Sequence, residues 1–240
     1  AGAVGGYIAA YLSKAGNDVS VVARGEHLAA MRTKGLTLDH AGNRFTVSPQ
    51  ATDDAREIGP VDAVVLTAKA PALSAIAAQL APLLGPDTTV ISAQNGIPWW
   101  YAHQGPEVSS GTSALIDPEG AMANHVGPQR AVGCVIDCPA RVVEPGLVVG
   151  NAQRKGRYTM GEPGGDTSDR LTRISQAFEA AGMLAPISDD IRRVIWAKLL
   201  INLSRSPIGV LTGADEHAMA KDEDVNDVAM TMLAEAQAIA

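Results

Sequence analysis

Over the first hundred residues the apolar positions alternate between helical spacing and short strand-like runs, with Gly, Asn, Asp or Pro between them. The pattern predicts a helix over 5–15, a strand over 18–23 and a helix over 26–34. Residues 35–47 read as a hairpin, with Thr37, Leu38, Phe45 and Val47 as strand formers. A strand over 61–67, a helix over 72–84 and a strand over 88–93 follow. From Arg130 three short strand-like runs, 131–136, 142–149 and 157–160, are expected to complete the sheet in antiparallel sense. Turn residues then fill Gly161-Glu162-Pro163-Gly164-Gly165-Asp166, the best linker in the chain. Everything beyond it reads as helix, over 168–181, 188–203 and 224 to the end.

Ahead of the first helix stands Ala1-Gly2-Ala3-Val4-Gly5-Gly6. In a G-x-G-x-x-G turn one glycine permits the tight bend, the next lets the backbone approach a pyrophosphate, and the last lets the helix pack on the sheet. Gly2 and Gly5 take the second and third places, so the first glycine, and an apolar central strand, are expected before residue 1 of a longer protein. Backbone N–H groups across Gly2, Ala3, Val4 and Gly5, with the positive end of the helix dipole, suit a phosphate; the alternative is a structural turn with no ligand. Arg24 ends the next strand, where an Asp or Glu would hold a ribose 2′-hydroxyl. An Arg there suits a 2′-phosphate, so the expected cofactor is NADP (NADPH), unless Arg24 is an ordinary solvated side chain. The fold class expected is α/β: a Rossmann-type doubly wound parallel sheet over 1–163, then an all-α domain over 164–240.

Composition narrows the partners. A net charge of −7 with no basic cluster argues against a nucleic-acid surface. Cys134 and Cys138 cannot make a disulfide framework, and no histidine cluster or C-x-x-C pair offers zinc ligands, so both read as reduced core residues of a cytoplasmic protein. No run of 18 uninterrupted apolar residues argues for a membrane.

Each parallel strand closes at its carboxyl side in a residue suited to ligand work: Arg24, then Lys69 after 61–67, then Gln94-Asn95-Gly96 after 88–93. Ligands of open parallel sheets bind outside those ends. The competing readings are a solvated lysine and a turn in which Asn95 tolerates left-handed geometry and Gly96 supplies positive φ. Farther on, Ser188 is expected to cap a helix apolar on every side and therefore buried, with Lys198 and Asn202 about 40° apart on one stripe. A buried ammonium is costly, so Lys198 either meets a substrate in a cleft, or is ion-paired, or extends to water.

These blocks together make the chain recognisable. The opening glycine turn, Val22-Ala23-Arg24-Gly25, Thr67-Ala68-Lys69-Ala70, Gln94-Asn95-Gly96-Ile97, Glu144-Pro145-Gly146 and Trp196-Ala197-Lys198-Leu199-Leu200-Ile201-Asn202 resemble, in order, the ketopantoate reductase family (2-dehydropantoate 2-reductases). The resemblance implies that the first domain holds NADPH, that Lys198 is the general acid, that Asn95 and Asn202 bind the oxo acid, and that Arg24 and Lys69 contact the cofactor. Two departures stand out. Ser206, before Pro207, occupies the place of the family's second substrate-binding asparagine, and the family's later serine and glutamate are expected beyond residue 240. Trp99-Trp100-Tyr101 could wall a bulkier pocket, form a buried packing cluster or make an oligomer contact. The expected partners are a small 2-oxo acid and a second copy of the chain, with no nucleic acid and no membrane.

Overall fold

The computed structural model describes residues 1–105, 107 and 109–239. In chain order the regular elements are α1 (Ala3–Lys14), β1 (Ser20–Val22), α2 (Gly25–Lys34), β2 (Leu36–His40), β3 (Asn43–Val47), β4 (Gln50–Thr52), β5 (Val61–Leu66), α3 (Leu73–Ala77) and β6 (Leu84–Ala93). Then come α4 (Ser110–Ile116), α5 (Ala121–His125), β7 (Ala131–Asp137), β8 (Ala140–Glu144), β9 (Leu147–Gly150), β10 (Arg157–Gly161), α6 (Asp169–Ala180), α7 (Ile191–Thr212), α8 (Glu216–Lys221) and α9 (Glu223–Gln237).

The class is α/β, with parallel pairing dominant where the site will be built. Strands β5, β6 and β7 run parallel, with Leu66 opposite Ser92 and Ala93 opposite Cys134, and β10 joins β7 antiparallel. Strand β1 pairs in parallel with β4, and a further sheet runs β3-β2-β9-β8. Two corrections follow. The run over 142–149 is not one strand but the β8–β9 hairpin, because Gly146 turns the chain at φ +80°. Of the runs after Arg130, β10 alone completes the central sheet in antiparallel sense; β7 is parallel to β6, and β9 pairs with β2 in a separate sheet.

Burial explains why α1 is held firmly. Its inner face carries Tyr7, Ile8, Ala9 and Ala10, packed with Val21, Leu36, Leu38 and Val148. Full burial of such a large apolar side chain contributes about 1.5–3 kcal/mol. Gly6 is required by this packing, since a Cβ there would lie 2.8 Å from Val148 Cγ2. Several polar groups within the same layer are paired. His40 Nε2 donates to the Arg154 carbonyl at 3.2 Å, leaving Nδ1 to accept the Tyr11 hydroxyl at 2.7 Å, while the Tyr7 hydroxyl accepts from Gly156 N–H at 3.2 Å. Cys134 is buried and Cys138 half-buried, both unbridged, and burial pushes the Cys134 thiol far above its usual range.

By contacts the chain divides into two compact units, Ala1–Gln94 with Pro98–Ile191, and Asn95–Ile97 with Arg192–Ala240. The division falls 28 residues later than the boundary read from the linker at 163. Segment 183–188 is the reason: Tyr158 N–H donates to Leu184 O at 2.7 Å, Met160 N–H to Pro186 O at 2.9 Å, and Ser188 N–H to Met160 O at 2.8 Å. Helix α6, capped by Ser168 Oγ accepting from Leu171 N–H, is therefore part of the sheet-based unit.

These bonds also displace the start of α7. Residues 184–188 pair with β10, and the Ser188 hydroxyl accepts from Asp190 N–H at 3.1 Å in a local turn, so the helix begins at Ile191 rather than Ser188. It then runs through Pro207 to Thr212, nine residues past the expected Leu203. Nor is it buried all round: Ile201 and Leu203 are exposed, and Val210 and Leu211 are each 85% exposed. At 100° per residue, Ile191 and Ile195 are buried on one side, whereas Ser204 and Ile208 are buried on nearly the opposite side. Helix α7 is long and apolar enough in composition to cross a bilayer, but Arg192, Arg193, Lys198 and Arg205 recur along it, which would make such a crossing costly.

Candidate functional site

The glycine turn occupies the switch between two strand ends. Ala1 donates its amino group to the Val22 carbonyl at the end of β1, and a Cβ on Gly5 would meet Thr67 Oγ1, just past β5, at 2.7 Å. Only hydrogen fits at Gly5. At Gly2, by contrast, a Cβ would meet no protein atom within 4 Å, so its outer side faces open space. Gly6 N–H makes the first helical bond, to Gly2 O at 2.8 Å, and no side chain caps the helix. The N–H groups of Ala3, Val4 and Gly5 are thus the leading donors at the positive end of a twelve-residue helix. This is a fit for a pyrophosphate.

Around that turn the strand ends supply cations and the braces that hold them. Arg24 follows β1, in the neighbourhood of Ala1. Its Nη2 donates to Gln79 Oε1 at 3.0 Å, and Gln79 Nε2 donates to Ala75 O at 3.1 Å. Lys69 is exposed just past β5, in extended conformation. Gln94, at the end of β6, donates through Nε2 to the Ala68 carbonyl while accepting from Ser92 Oγ at 3.1 Å. That brace fixes the loop carrying Lys69. His27 on α2 accepts Gly146 N–H at Nδ1, 2.9 Å away, which ties α2 to the Glu144-Pro145-Gly146 turn, and burial lowers its pKa. No carboxylate follows β1, where Ala23 and Arg24 stand. The residues therefore fit a dinucleotide.

The other named residues are all in the helical unit. Asn95 is exposed on the turn after β6, where Gly96 takes φ +90°, as the turn reading required. The stretch Asn95–Ile97 groups with Arg192–Ala240, hence with Lys198, Asn202 and Ser206. Lys198 and Asn202 are half-buried one helical turn apart on α7, and Asn202 prolongs the line of Ile191 and Ile195; Ser206, one turn farther, is exposed. The fold thus collects Gly2, Ala3, Val4, Gly5, Arg24 and Lys69 in one unit and Asn95, Lys198, Asn202 and Ser206 in the other.

Trp99 and Trp100 are buried, and the packing reading accounts for them. A Cβ on Gly133 of β7 would lie 2.6 Å from Trp100 Cζ2 and 2.7 Å from Ile191 Cγ1. Gln79 and Thr67 were missed as functional side chains. Gln79 reaches Arg24 across 55 positions, which no local spacing signals. Among the described residues no group of three or more His, Cys, Asp or Glu could hold a metal ion.

Comparison with known proteins places this geometry among relatives. The family model described as ketopantoate reductase PanE/ApbA matches residues 1–165, and its C-terminal companion matches 190–240. A 2-dehydropantoate 2-reductase of Mesorhizobium japonicum is 45% identical over 242 residues, covering all of this chain and 73% of its own length. The enzyme of that name from Pyrococcus horikoshii is 25% identical over 240 residues, covering 71% of its length. A crystal structure assigned as a ketopantoate reductase, from Ralstonia solanacearum MolK2, superposes with a TM-score of 0.93 at 39% identity, over 99% of this chain and 74% of that one. The same fold is found in a D-mandelate dehydrogenase solved with NADH and anilino(oxo)acetate, with a TM-score of 0.78 at 18% identity, over 95% of this chain and 67% of that one.

Proposed function

Because the chain belongs to the ketopantoate reductase family, we propose that it is an NADPH-dependent oxidoreductase that reduces the 2-oxo acid 2-dehydropantoate to the 2-hydroxy acid pantoate. The observation that carries this reading is the 45% identity along the whole chain to a protein of that name. Cytoplasmic location and a homodimer are part of the same reading.

The roles divide as the compact units do. Ala3, Val4 and Gly5 would hold the pyrophosphate with backbone N–H groups, Gly2 would leave room for its approach, Arg24 would pair with the 2′-phosphate, and Lys69 would contact the cofactor beside it. NADPH, once bound, supplies the hydride to the ketone carbon. Lys198 donates a proton to the ketone oxygen as negative charge develops there, and its ammonium stabilises that charge. Asn202 and Asn95 orient the acid through hydrogen bonds, and Asn95 also meets the cofactor from its place after β6. Ser206 offers a hydroxyl where a longer amide would reach farther, so it tunes which acid fits.

A panel of 2-oxo acids assayed with NADPH tests this. The expected result is a kcat/KM for 2-dehydropantoate at least about tenfold above those for pyruvate, 2-oxoisovalerate and benzoylformate, the scale on which pocket contacts discriminate. A better substrate elsewhere in the panel would displace 2-dehydropantoate and leave the oxo-acid chemistry standing. No turnover with any acid would end the enzymatic reading.

A further inference from the structure

At the amino-terminal end of β6 and β7, the end opposite Lys69 and Gln94, a pocket of about 340 Å³ is lined by Pro86, Asp87, Thr88, Gln129, Arg130, Arg170 and Arg173. Three arginines converge here in a chain of net charge −7. Two of them are locked. Arg130 Nη1 donates to the carbonyls of Gly85 at 2.6 Å, Pro86 at 3.2 Å and Thr88 at 3.2 Å, which leaves Nε and Nη2 outside these bonds. Arg170 grips buried Glu162 through Nε at 2.8 Å and Nη2 at 2.6 Å, and reaches Gln129 O and Ala131 O as well. Burying the Glu162 carboxylate is offset by that pairing, so Arg170 adds rigidity but little net charge. Arg173 lies one helical turn along α6 from Arg170, exposed, with no hydrogen bond or ion pair among the described residues. Two guanidinium groups outside these ion pairs, Arg130 held by carbonyls and Arg173 exposed on α6, therefore line a pocket whose one lining carboxylate is Asp87.

We propose that this pocket is a second, non-catalytic binding site for a compact phosphoryl anion, either free or as the ester group of a small metabolite. A guanidinium held in place by backbone carbonyls has already lost its rotamer freedom, and its planar fork matches phosphate oxygens. Arg173, from α6, brings a second guanidinium to the same lining. The site is separate from the glycine turn, since its residues flank the starts of β6 and β7 and the turn sits at the ends of β1 and β5.

Phosphorus NMR titration of the protein, saturated with NADPH so that the glycine turn is filled, tests the proposal with inorganic pyrophosphate and with ribose 5-phosphate. At least one probe is expected to bind saturably, and the tighter of the two identifies the source, free or esterified. Arg173→Glu should weaken that binding by about tenfold or more, the scale of a lost charge-assisted contact. Asp87→Asn should tighten it by about two- to fivefold by removing the opposing charge. NADPH titration, read separately by fluorescence, should be unchanged in both variants. No saturable binding of either probe, binding abolished by NADPH in the native protein, or equal binding in Arg173→Glu would overturn the proposal.

Discussion

In the sheet-based unit, what matters is fixed by contacts between residues far apart in sequence; in the helical unit, Asn95 apart, it is fixed by spacing along one element. Arg24 is braced by Gln79, the loop of Lys69 by Gln94, and α2 by the bond from Gly146 to His27. Each is a tertiary bond that could not be drawn from local pattern. Along α7, Lys198, Asn202 and Ser206 follow each other at one-turn intervals, and the helix period alone puts them on adjoining lines. Position in the first unit is therefore sensitive to packing, whereas position in the second is sensitive to helical phase.

The sharpest way to break this comparison is at Lys198. Lys198→Ala should lower kcat for the oxo acid by at least about a hundredfold, as loss of a positioned acid does, with the NADPH dissociation constant nearly unchanged because all the proposed phosphate donors are in the other unit. Surviving turnover would remove Lys198 from the chemistry. Next in size is Gly5→Val, whose side chain would collide with Thr67 Oγ1. Overpacking of this kind costs about 1–3 kcal/mol of stability, and thermal denaturation should show the loss together with failure to bind NADPH. Normal binding in that variant would contradict the close approach of helix and strand end.

Arg24→Ala comes third. It should weaken NADPH relative to NADH by about 1.5–3 kcal/mol, the range for a hydrogen bond to a charged group; equal losses for the two cofactors would dissociate Arg24 from the 2′-phosphate. Gln79→Ala should have the smallest effect, about 0.5–1.5 kcal/mol in the same NADPH preference, since Gln79 orients the guanidinium without touching the cofactor. If the preference for NADPH were unaltered while Arg24→Ala abolished it, the brace would be structural only.

Much of the site was legible from the chain because its chemistry is tied to local signals. The Gly2-to-Gly5 spacing marked a helix N-terminus with leading N–H donors, and α1 lies there, beginning at Ala3, two residues ahead of the expected Gly5. Arg24, Lys69 and Asn95 were candidates because strands announce their own ends, and each does follow a strand, β1, β5 and β6 in turn. Less was legible wherever a residue's backbone was committed to a distant partner. Ser188 carries the sequence mark of a helix cap, yet residues 184–188 pair with β10 and its hydroxyl closes a local turn to Asp190, so the helix starts at Ile191. The apolar count of α7 suggested burial on all sides, but Val210 and Leu211 stand in the open and the buried side reverses along its length.

Amino-acid order alone determined the α/β class, the nucleotide-type turn, the cations at the strand ends and the helical line of Lys198 and Asn202, since each depends on contacts within a few residues or on a fixed period. Tertiary structure alone decided that β9 pairs with β2 away from the central sheet, that α6 joins the sheet-based unit, that Asn95 groups with Lys198, and that three arginines share one pocket. The physical reason is that these outcomes depend on hydrogen bonds and side-chain contacts between segments tens of residues apart, which the chain forms only once its strands have paired.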